Sequence, residues 1–387
     1  VTVNDILEID LRDLLGRESV RPNTQLLKTN ISNKVILVSG AGGSIGSELC
    51  RQIVSLKPKK LILFELSESS LYLINQELLN IGIPNLEIVP VIGSVANRAR
   101  IEYICKYYVV KTIYHAAAYK HVPLVEFNPS QGILNNSIGT MVAAQAAIAA
   151  KVETFVLVST DKAVRPTNVM GASKRIAELV LQALDRGHHD TCFTMVRFGN
   201  VLDSSGSVIP LFKKQIQAGG PVTVTHSNVV RYFMTITEAV ELVIQSGAMA
   251  KGGEVFVLDM GEPIRIYDLA VKMIQLSGLV VRDKNNPSGD IEIKYTGLRP
   301  GEKLYEELLV DGRFSMTKNK LIRRAEEGMI DWDQLEPMLT EIKEASKNVG
   351  EYDDNEKLYQ LIKKLVPQFN PQANGSDNKD AITADTK

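Results

Sequence analysis

The chain has 387 residues, 44% hydrophobic and 23% charged, long enough for a sizeable core and two lobes, which excludes a disulfide-stapled miniprotein. With 44 basic against 45 acidic residues the net charge is -1, so no global field draws it to nucleic acid or a membrane surface, and any bound anion must be met locally. Cys50, Cys105 and Cys192 lie far apart in apolar stretches, with no CxxC or zinc spacing, which predicts reduced, buried thiols in a cytosolic setting.

In chain order, residues 1–30 are polar with scattered aliphatics and predict an arm packed on the surface. From Lys34, short β-branched runs at 35–38, 61–64, 86–91, 112–115, 154–159 and 192–198 alternate with longer helical patterns. That alternation predicts an α/β fold, a Rossmann-type doubly wound parallel sheet with helices on both faces. After Asn200 the rhythm breaks into Gly-, Ser- and Pro-rich turns before returning at Val255–Leu258, which predicts a smaller interleaved C-terminal substrate lobe. The expected division is a nucleotide-binding domain at 31–200, to which 235–262 return, and a substrate lobe made of 201–234 and 263–330. Two helices are expected near 331–346 and 354–365 within a segment 331–370, and the Gly-, Asn-, Asp- and Lys-rich end, 371–387, reads as disordered. No apolar run reaches the ~18 residues that span a bilayer, and no signal-peptide pattern opens the chain.

Directly after the first strand run stand Gly40-Ala41-Gly42-Gly43-Ser44-Ile45-Gly46, followed by a helical pattern. Glycines there let the backbone turn tightly and approach a pyrophosphate, whose charge is met by amides at the helix amino terminus. Glu65 closes the second run, 19 residues beyond Gly46. An acid at that point accepts hydrogen bonds from an adenosine ribose and repels a 2′-phosphate, so NAD is expected rather than NADP.

At the carboxyl end of the fifth run stand Ser159-Thr160-Asp161-Lys162, at the edge where open α/β sheets place ligands. Eight residues on, Met170-Gly171-Ala172-Ser173-Lys174 begins a helix with positions 170 and 174 on one face. A bond from Lys174 to the nicotinamide ribose is expected there.

These residues carry a resemblance. The run from 34 to 310 resembles the extended short-chain dehydrogenase/reductase family, and within it the UDP-N-acetylglucosamine 4,6-dehydratases of bacterial glycan synthesis. The matching pieces are the glycine motif, His115–Pro123, Asn136–Thr140, Ser159–Ala163, Arg197–Val201, Arg231–Met234 and Leu298–Lys303. One departure matters: the family's Tyr-x-x-x-Lys stands here as Met170-x-x-x-Lys174, so the phenol that ordinarily takes the sugar hydroxyl proton is absent. That methionine is similar to the large, membrane-anchored, C5-retaining branch. The resemblance implies that this chain, opening at Val1, is the soluble catalytic part of a longer protein at the cytoplasmic face of a bacterial membrane, itself without membrane contact.

The reaction so implied is an internal redox cycle: oxidation at sugar C4 by NAD, loss of water across C5 and C6, and reduction at C6, with NAD regenerated in place. Elimination needs a base at C5 and an acid at the C6 hydroxyl. Lys162 is assigned as base and Asp161 as acid, a neutral amine beside a protonated carboxyl, with Thr160 on the C4 oxygen. The group taking the C4 hydroxyl proton is left open between Asp161, Lys174 and a water. The cofactor set comprises Gly40, Gly43, Ser44, Ile45, Gly46, Glu65, Ser67, Ser94, Val95, Ala116, Ala117, Ala118, Ser159 and Lys174. Arg231 and Arg299 are expected on the substrate diphosphate, with Asn200 beside it, Glu302 on the uridine ribose, and Lys120 and His121 near the sugar. His188, His189 and His226 have no partner pattern, so no metal is expected. The partner set is UDP-N-acetylglucosamine and a second copy of the chain in a homo-oligomer.

Two other readings compete. A UDP-hexose 4-epimerase uses the same cofactor but needs no acid–base pair at C5 and C6. A nucleotide-binding sensor or scaffold would follow if loss of the tyrosine had ended catalysis.

Overall fold

The aliphatic runs become strands, most of them buried on both faces, as a parallel sheet sandwiched by helices requires, and two short mixed segments, Phe314–Met316 and Ile322–Ala325, join them. They are β1 (Val35–Ser39), β2 (Lys60–Glu65), β3 (Glu87–Ile92), β4 (Thr112–His115), β5 (Thr154–Val158), β6 (Cys192–Arg197), β7 (Glu254–Leu258), β8 (Phe314–Met316) and β9 (Ile322–Ala325). This computed structural model describes residues 22–202, 204–310, 312–347 and 355–371. Of the expected arm, 1–30, residues 1–21 lie outside the described residues, as does the tail from 372 onward; Thr24–Thr29 form a short helix.

The nine strands form one sheet in the order β8-β9-β7-β6-β5-β4-β1-β2-β3. From β3 to β7 every pairing is parallel. The order reverses between β1 and β4, which opens the crevice where doubly wound sheets take their ligands. β9 runs antiparallel to β7 in the register Val255↔Ala325, and β8 antiparallel to β9. Residues 314–325 thus extend the main sheet, where the sequence placed 263–330 wholly in the smaller lobe. The physical reason is the edge of β7, whose open hydrogen-bonding groups they cover.

One face of the sheet packs on α1 (Ser44–Ser55), α2 (Glu68–Ile81) and, through Val240 and Val243, on the helix Ile236–Met249. The other packs on α3 (Arg98–Tyr108), α4 (Gly139–Ala149) and α5 (Val169–Asp185), through Ile101, Ile104, Ala143, Ala147, Ala177 and Leu181. A third apolar cluster lies outside α5, where Ile176, Leu179 and Val180 meet Leu335, Leu339 and Ile342 of α6 (Trp332–Lys347) and Leu358, Ile362 and Leu365 of α7 (Asn355–Leu365). Each such aliphatic side chain stabilises the fold by roughly 1.5–3 kcal/mol when fully buried. The smaller lobe has its own core of Phe212, Ile216, Val222, Leu269, Met273 and Ile291, with a three-stranded sheet from Val222–Val224, Val281–Arg282 and Ile291–Tyr295. Cys50 and Cys105 are buried and Cys192 only half-buried, all as free thiols. Among the described residues, no helix is long and apolar enough to cross a membrane.

Candidate active site

α1 begins on Gly43, and neither a side-chain cap nor an acidic residue occupies its first turn. The leading amides, with the positive end of the helix dipole behind them, suit an anion. Gly40 has φ +68°, and a Cβ there would stand 2.7 Å from Ala117 N, while one on Gly46 would stand 1.9 Å from Gly40 O. The protein's own packing demands these two glycines. Over Gly43 there is room: a Cβ would meet only Gly40 O, at 3.3 Å. A dinucleotide's pyrophosphate fits that space beside the amides of Ser44, Ile45 and Gly46.

Glu65 ends β2 and accepts the Gly42 amide at 2.9 Å on one oxygen, and those of Leu66 and Ser67 at 2.8 and 3.0 Å on the other. It braces the glycine loop and keeps a lone pair on the Gly42-bound oxygen for a ribose hydroxyl. Ser67 caps α2, its hydroxyl accepting the Ser70 amide. Ser94 similarly accepts the Ala96 amide at 3.2 Å, and Val95 is buried against Gly139. Ala116, Ala117 and Ala118 are half-buried beside the glycine loop, with Ala116 N donating to Ser39 O at 3.0 Å.

His115, fully buried at the end of β4, stands 2.7 Å from Ser39 Oγ through Nδ1 and 3.1 Å from Thr140 Oγ1 through Nε2. Since the Thr140 hydroxyl donates to Asn136 O at 2.6 Å, it accepts from Nε2, and Nδ1 accepts from Ser39. Burial, then the nearby Lys174 charge, pushes the imidazole down to about 3, so it is neutral. Asn136 sits on a π-helical stretch, Ile133–Ile138, and its amide bonds Tyr119 O and Ser173 Oγ at 2.9 Å each. It thereby ties the loop after β4 to α5, a use of π-helical geometry common near functional sites.

Lys174 is buried on α5, and no acceptor among the described residues bonds its ammonium. Burial pulls its pKa down to about 8 against the opposing charge of Glu178. Met170, one turn earlier, is 4% exposed and belongs to the apolar cluster under α6 and α7. α5 comes close to β5's end because Gly171 lacks a side chain: a Cβ there would stand 2.2 Å from Lys162 O.

Asp161 opens a short 3-10 turn, Asp161–Ala163, capped by Thr160. Thr160 Oγ1 donates to Asp161 Oδ1 at 2.9 Å, and Lys162 Nζ donates to the same oxygen at 3.1 Å. Glu306 Oε1 stands 3.5 Å from Lys162 Nζ on its other side. Burial lowers the pKa of Lys162, but the carboxylates of Asp161 and Glu306 outweigh burial and the opposing Arg231 and hold it above the ordinary value, a direction opposite to the expected neutral amine. Lys174 is the amine that moves toward neutrality. Thr160 is engaged by Asp161, and Ser159, expected on the cofactor, donates to Glu178 Oε1 at 2.7 Å.

Toward the smaller lobe, Arg231 is buried and donates to Val230 O, Leu304 O, Lys303 O and Glu302 Oε1 at 2.7–3.3 Å. Glu302 also takes Thr225 Oγ1 at 3.1 Å and Arg299 N at 3.1 Å. The structure therefore pairs two residues expected on the substrate with each other, since a buried guanidinium must find acceptors. Arg299 keeps an exposed side chain. Asn200 N donates to Tyr232 O at 3.0 Å where 200–201 pair with 233–234. Lys120 is solvent-accessible, yet desolvation of its ammonium lowers its pKa; desolvation and then Lys120 do the same for His121. The His121 ring lies against Gly206, where a Cβ would stand 2.4 Å from Cε1.

Residues 36–327 match a family described as polysaccharide biosynthesis protein. The chain belongs to that family. It is 54% identical over 307 residues to the capsular polysaccharide biosynthesis protein CapD of Staphylococcus aureus, covering 79% of this chain and 50% of CapD. To the probable polysaccharide biosynthesis protein EpsC of Bacillus subtilis it is 51% identical over 308 residues, 80% of this chain and 50% of EpsC. The chain thus spans about half the length of these relatives. A UDP-glucose 4-epimerase of Rickettsia rickettsii is 33% identical, over 72% of this chain and 78% of its own. Among solved structures, Pen from Bacillus thuringiensis is similar with a TM-score of 0.68 and 32% identity, over 81% of this chain and 98% of that one. DesIV, a dTDP-glucose 4,6-dehydratase from Streptomyces venezuelae solved with NAD and TYD, is 21% identical with a TM-score of 0.60, over 71% and 88% of the two chains, a likeness of fold.

Two parts of the site escaped the sequence reading. One is a buried network: Arg197 donates to both oxygens of Glu178 at 2.8 and 2.6 Å and reaches Glu327, while Arg175 joins Glu178 at 3.0 Å. It ties β6 and α5 to the segment after β9, and Arg197 could have been found only as a charge inside an apolar strand. The other is Glu306, three residues past the matched Leu298–Lys303 motif.

Proposed function

We propose that this chain carries out NAD-dependent dehydration of UDP-N-acetylglucosamine to the UDP-4-keto-6-deoxy-N-acetylhexosamine with C5 configuration retained. In this reading it is a hydro-lyase serving bacterial surface glycan synthesis, working as a homo-oligomer at the cytoplasmic face of the membrane. The observation that carries the reading is the contact between Asp161 and Lys162, 3.1 Å apart at the carboxyl end of β5. An acid and an amine in contact serve an elimination; an epimerisation at C4 needs no such pair.

The amides of Ser44–Gly46 hold the dinucleotide's pyrophosphate, Glu65 accepts from the adenosine ribose, and Lys174 donates to the nicotinamide ribose. When bound, NAD supplies the hydride acceptor and donor for the oxidation at C4 and the reduction at C6. Asp161 and Lys162 exchange protons with the sugar at C5 and C6, and Thr160 orients Asp161. Arg299 meets the diphosphate from the exposed side, with Lys120, His121 and Asn200 lining the sugar's approach. Met170 transfers no proton and acts by packing.

The test is to incubate the purified chain with NAD and UDP-N-acetylglucosamine and follow the sugar by proton NMR. A 4-keto-6-deoxy product of unchanged C5 configuration is expected. Appearance of the 4-epimer would favour the epimerase, a reading to which the Rickettsia relative lends support. NAD binding with unaltered sugar would favour a sensor.

A further inference from the structure

Lys162 is the partly accessible member of its trio: its side chain is 19% exposed, against 1% for Asp161 and 4% for Glu306. Behind it, Asp161 Oδ2 and Glu306 Oε2 are both buried without a hydrogen-bond partner. Two carboxylates therefore bracket one ammonium, with Arg231 the other charge bearing on it and Arg231 itself paired to Glu302. Two buried carboxylates with no cation between them would be costly, so this arrangement favours an ammonium at Lys162 over a neutral amine.

Glu306 reaches this place by design of the loop that carries it. Thr167 Oγ1 and Asn168 Nδ2 both donate to Gly301 O at 3.0 Å, Lys303 Nζ donates to Val164 O at 3.1 Å, and Arg165 pairs with Glu307 at 2.6 Å. These contacts pin residues 301–307 onto the turn that follows Lys162.

We propose, resting on the function proposed above, that Glu306 is a positioning residue that keeps Lys162 as an ammonium, making Lys162 the acid at the departing C6 hydroxyl and Asp161 the base at C5. An ammonium can only donate and an ionised carboxylate can only accept. The C5–H bond breaks with its proton passing to Asp161, its electron pair becomes the C5=C6 bond, and the C6–O bond breaks as Lys162 protonates the leaving hydroxyl to water. The Asp161 carboxyl then returns a proton to the Lys162 amine across their contact, and the trio is restored with no net gain or loss. This exchanges the roles expected from sequence.

The pH profile of product formation by the NAD-loaded enzyme, in wild type, Glu306→Gln and Glu306→Asp, tests it. With Lys162 as acid, the rate falls on the alkaline side as Lys162 loses its proton. Glu306→Gln removes one anion and should move that limb down by about one pH unit or more, slowing the enzyme at strongly alkaline pH where wild type still turns over, whereas Glu306→Asp should stay near wild type. With Lys162 as base the sign reverses, and a faster Glu306→Gln enzyme overturns the proposal. Independently of turnover, the NMR titration of the Lys162 ε-carbon in the isolated protein should shift downward in Glu306→Gln. An unmoved titration overturns Glu306's hold on Lys162. A shifted titration with no conversion of UDP-N-acetylglucosamine by wild type overturns the functional reading and the acid role together, while leaving that hold intact.

Discussion

The glycine loop and the trio around Lys162 lie at the same edge of one sheet, yet they are made differently. The loop is backbone: amides of α1, glycines that a Cβ would disrupt, and one acid, Glu65, within a single run of sequence. The trio is side-chain charge, brought together from β5's end and from a loop more than 130 residues away. A backbone site carries its chemistry in its shape, so spacing alone describes it. A charge site takes its chemistry from neighbours, and its protonation is set by all of them together.

The sharpest way to break this contrast is to separate the two proton transfers. Asp161→Asn and Lys162→Met should each cut product formation by about 10²–10⁴-fold. In heavy water, substrate recovered from Lys162→Met should carry deuterium at C5, whereas that from Asp161→Asn should carry almost none. The opposite pattern would return the base role to Lys162.

On the backbone side, Gly46→Ala places a Cβ against Gly40 O. It should cost roughly 1–3 kcal/mol of stability and reduce NAD affinity measured by calorimetry, while leaving the Lys162 titration in place. A variant that binds NAD normally would mean that the loop is more pliant than its packing implies.

Met170→Ala tests whether packing alone is that residue's work. A loss of about 2–5 kcal/mol in denaturant unfolding is expected for so buried a methionine, with turnover retained at low temperature. Unchanged stability together with lost turnover would place Met170 against the sugar.

The smallest effect concerns Lys174, whose pKa falls from 10.5 to about 8. Between those two values the unfolded chain holds a proton that the folded protein has released, so this residue's contribution to stability rises with pH across that window. Relative to Lys174→Met, wild type should therefore gain thermal midpoint from the lower to the upper end. A flat difference would mean that the ammonium finds an acceptor in solution.

Much of this was legible beforehand. The strand runs, the glycine motif, Glu65 and the Asp161–Lys162 step are local patterns, and the fold realises them at the expected sheet edge. Arg231 and Glu302 were recognised as residues but not as partners, because nothing in their spacing says that a buried guanidinium will be satisfied by the Lys303 and Leu304 carbonyls. Glu306 and Glu327 act through contacts across the fold, and the antiparallel β8 and β9 were hidden because their short, mixed sequences lack the apolar signature of the parallel strands. The pull of Glu306 on Lys162 was hidden for the same reason: nothing in the sequence places Glu306 beside it.

The match to the polysaccharide biosynthesis family ends at residue 327, just before α6 and α7. Those two helices roof α5, the helix that carries Met170 and Lys174, and α5 is buried along nearly all its length. A protein cut at the family boundary would keep every residue assigned to chemistry and still leave Ile176, Leu179 and Val180 facing water. The folded unit therefore reaches at least to Phe369, whose ring stacks on Tyr359 at a centroid distance of 5.9 Å, and shorter versions should be recovered as aggregates.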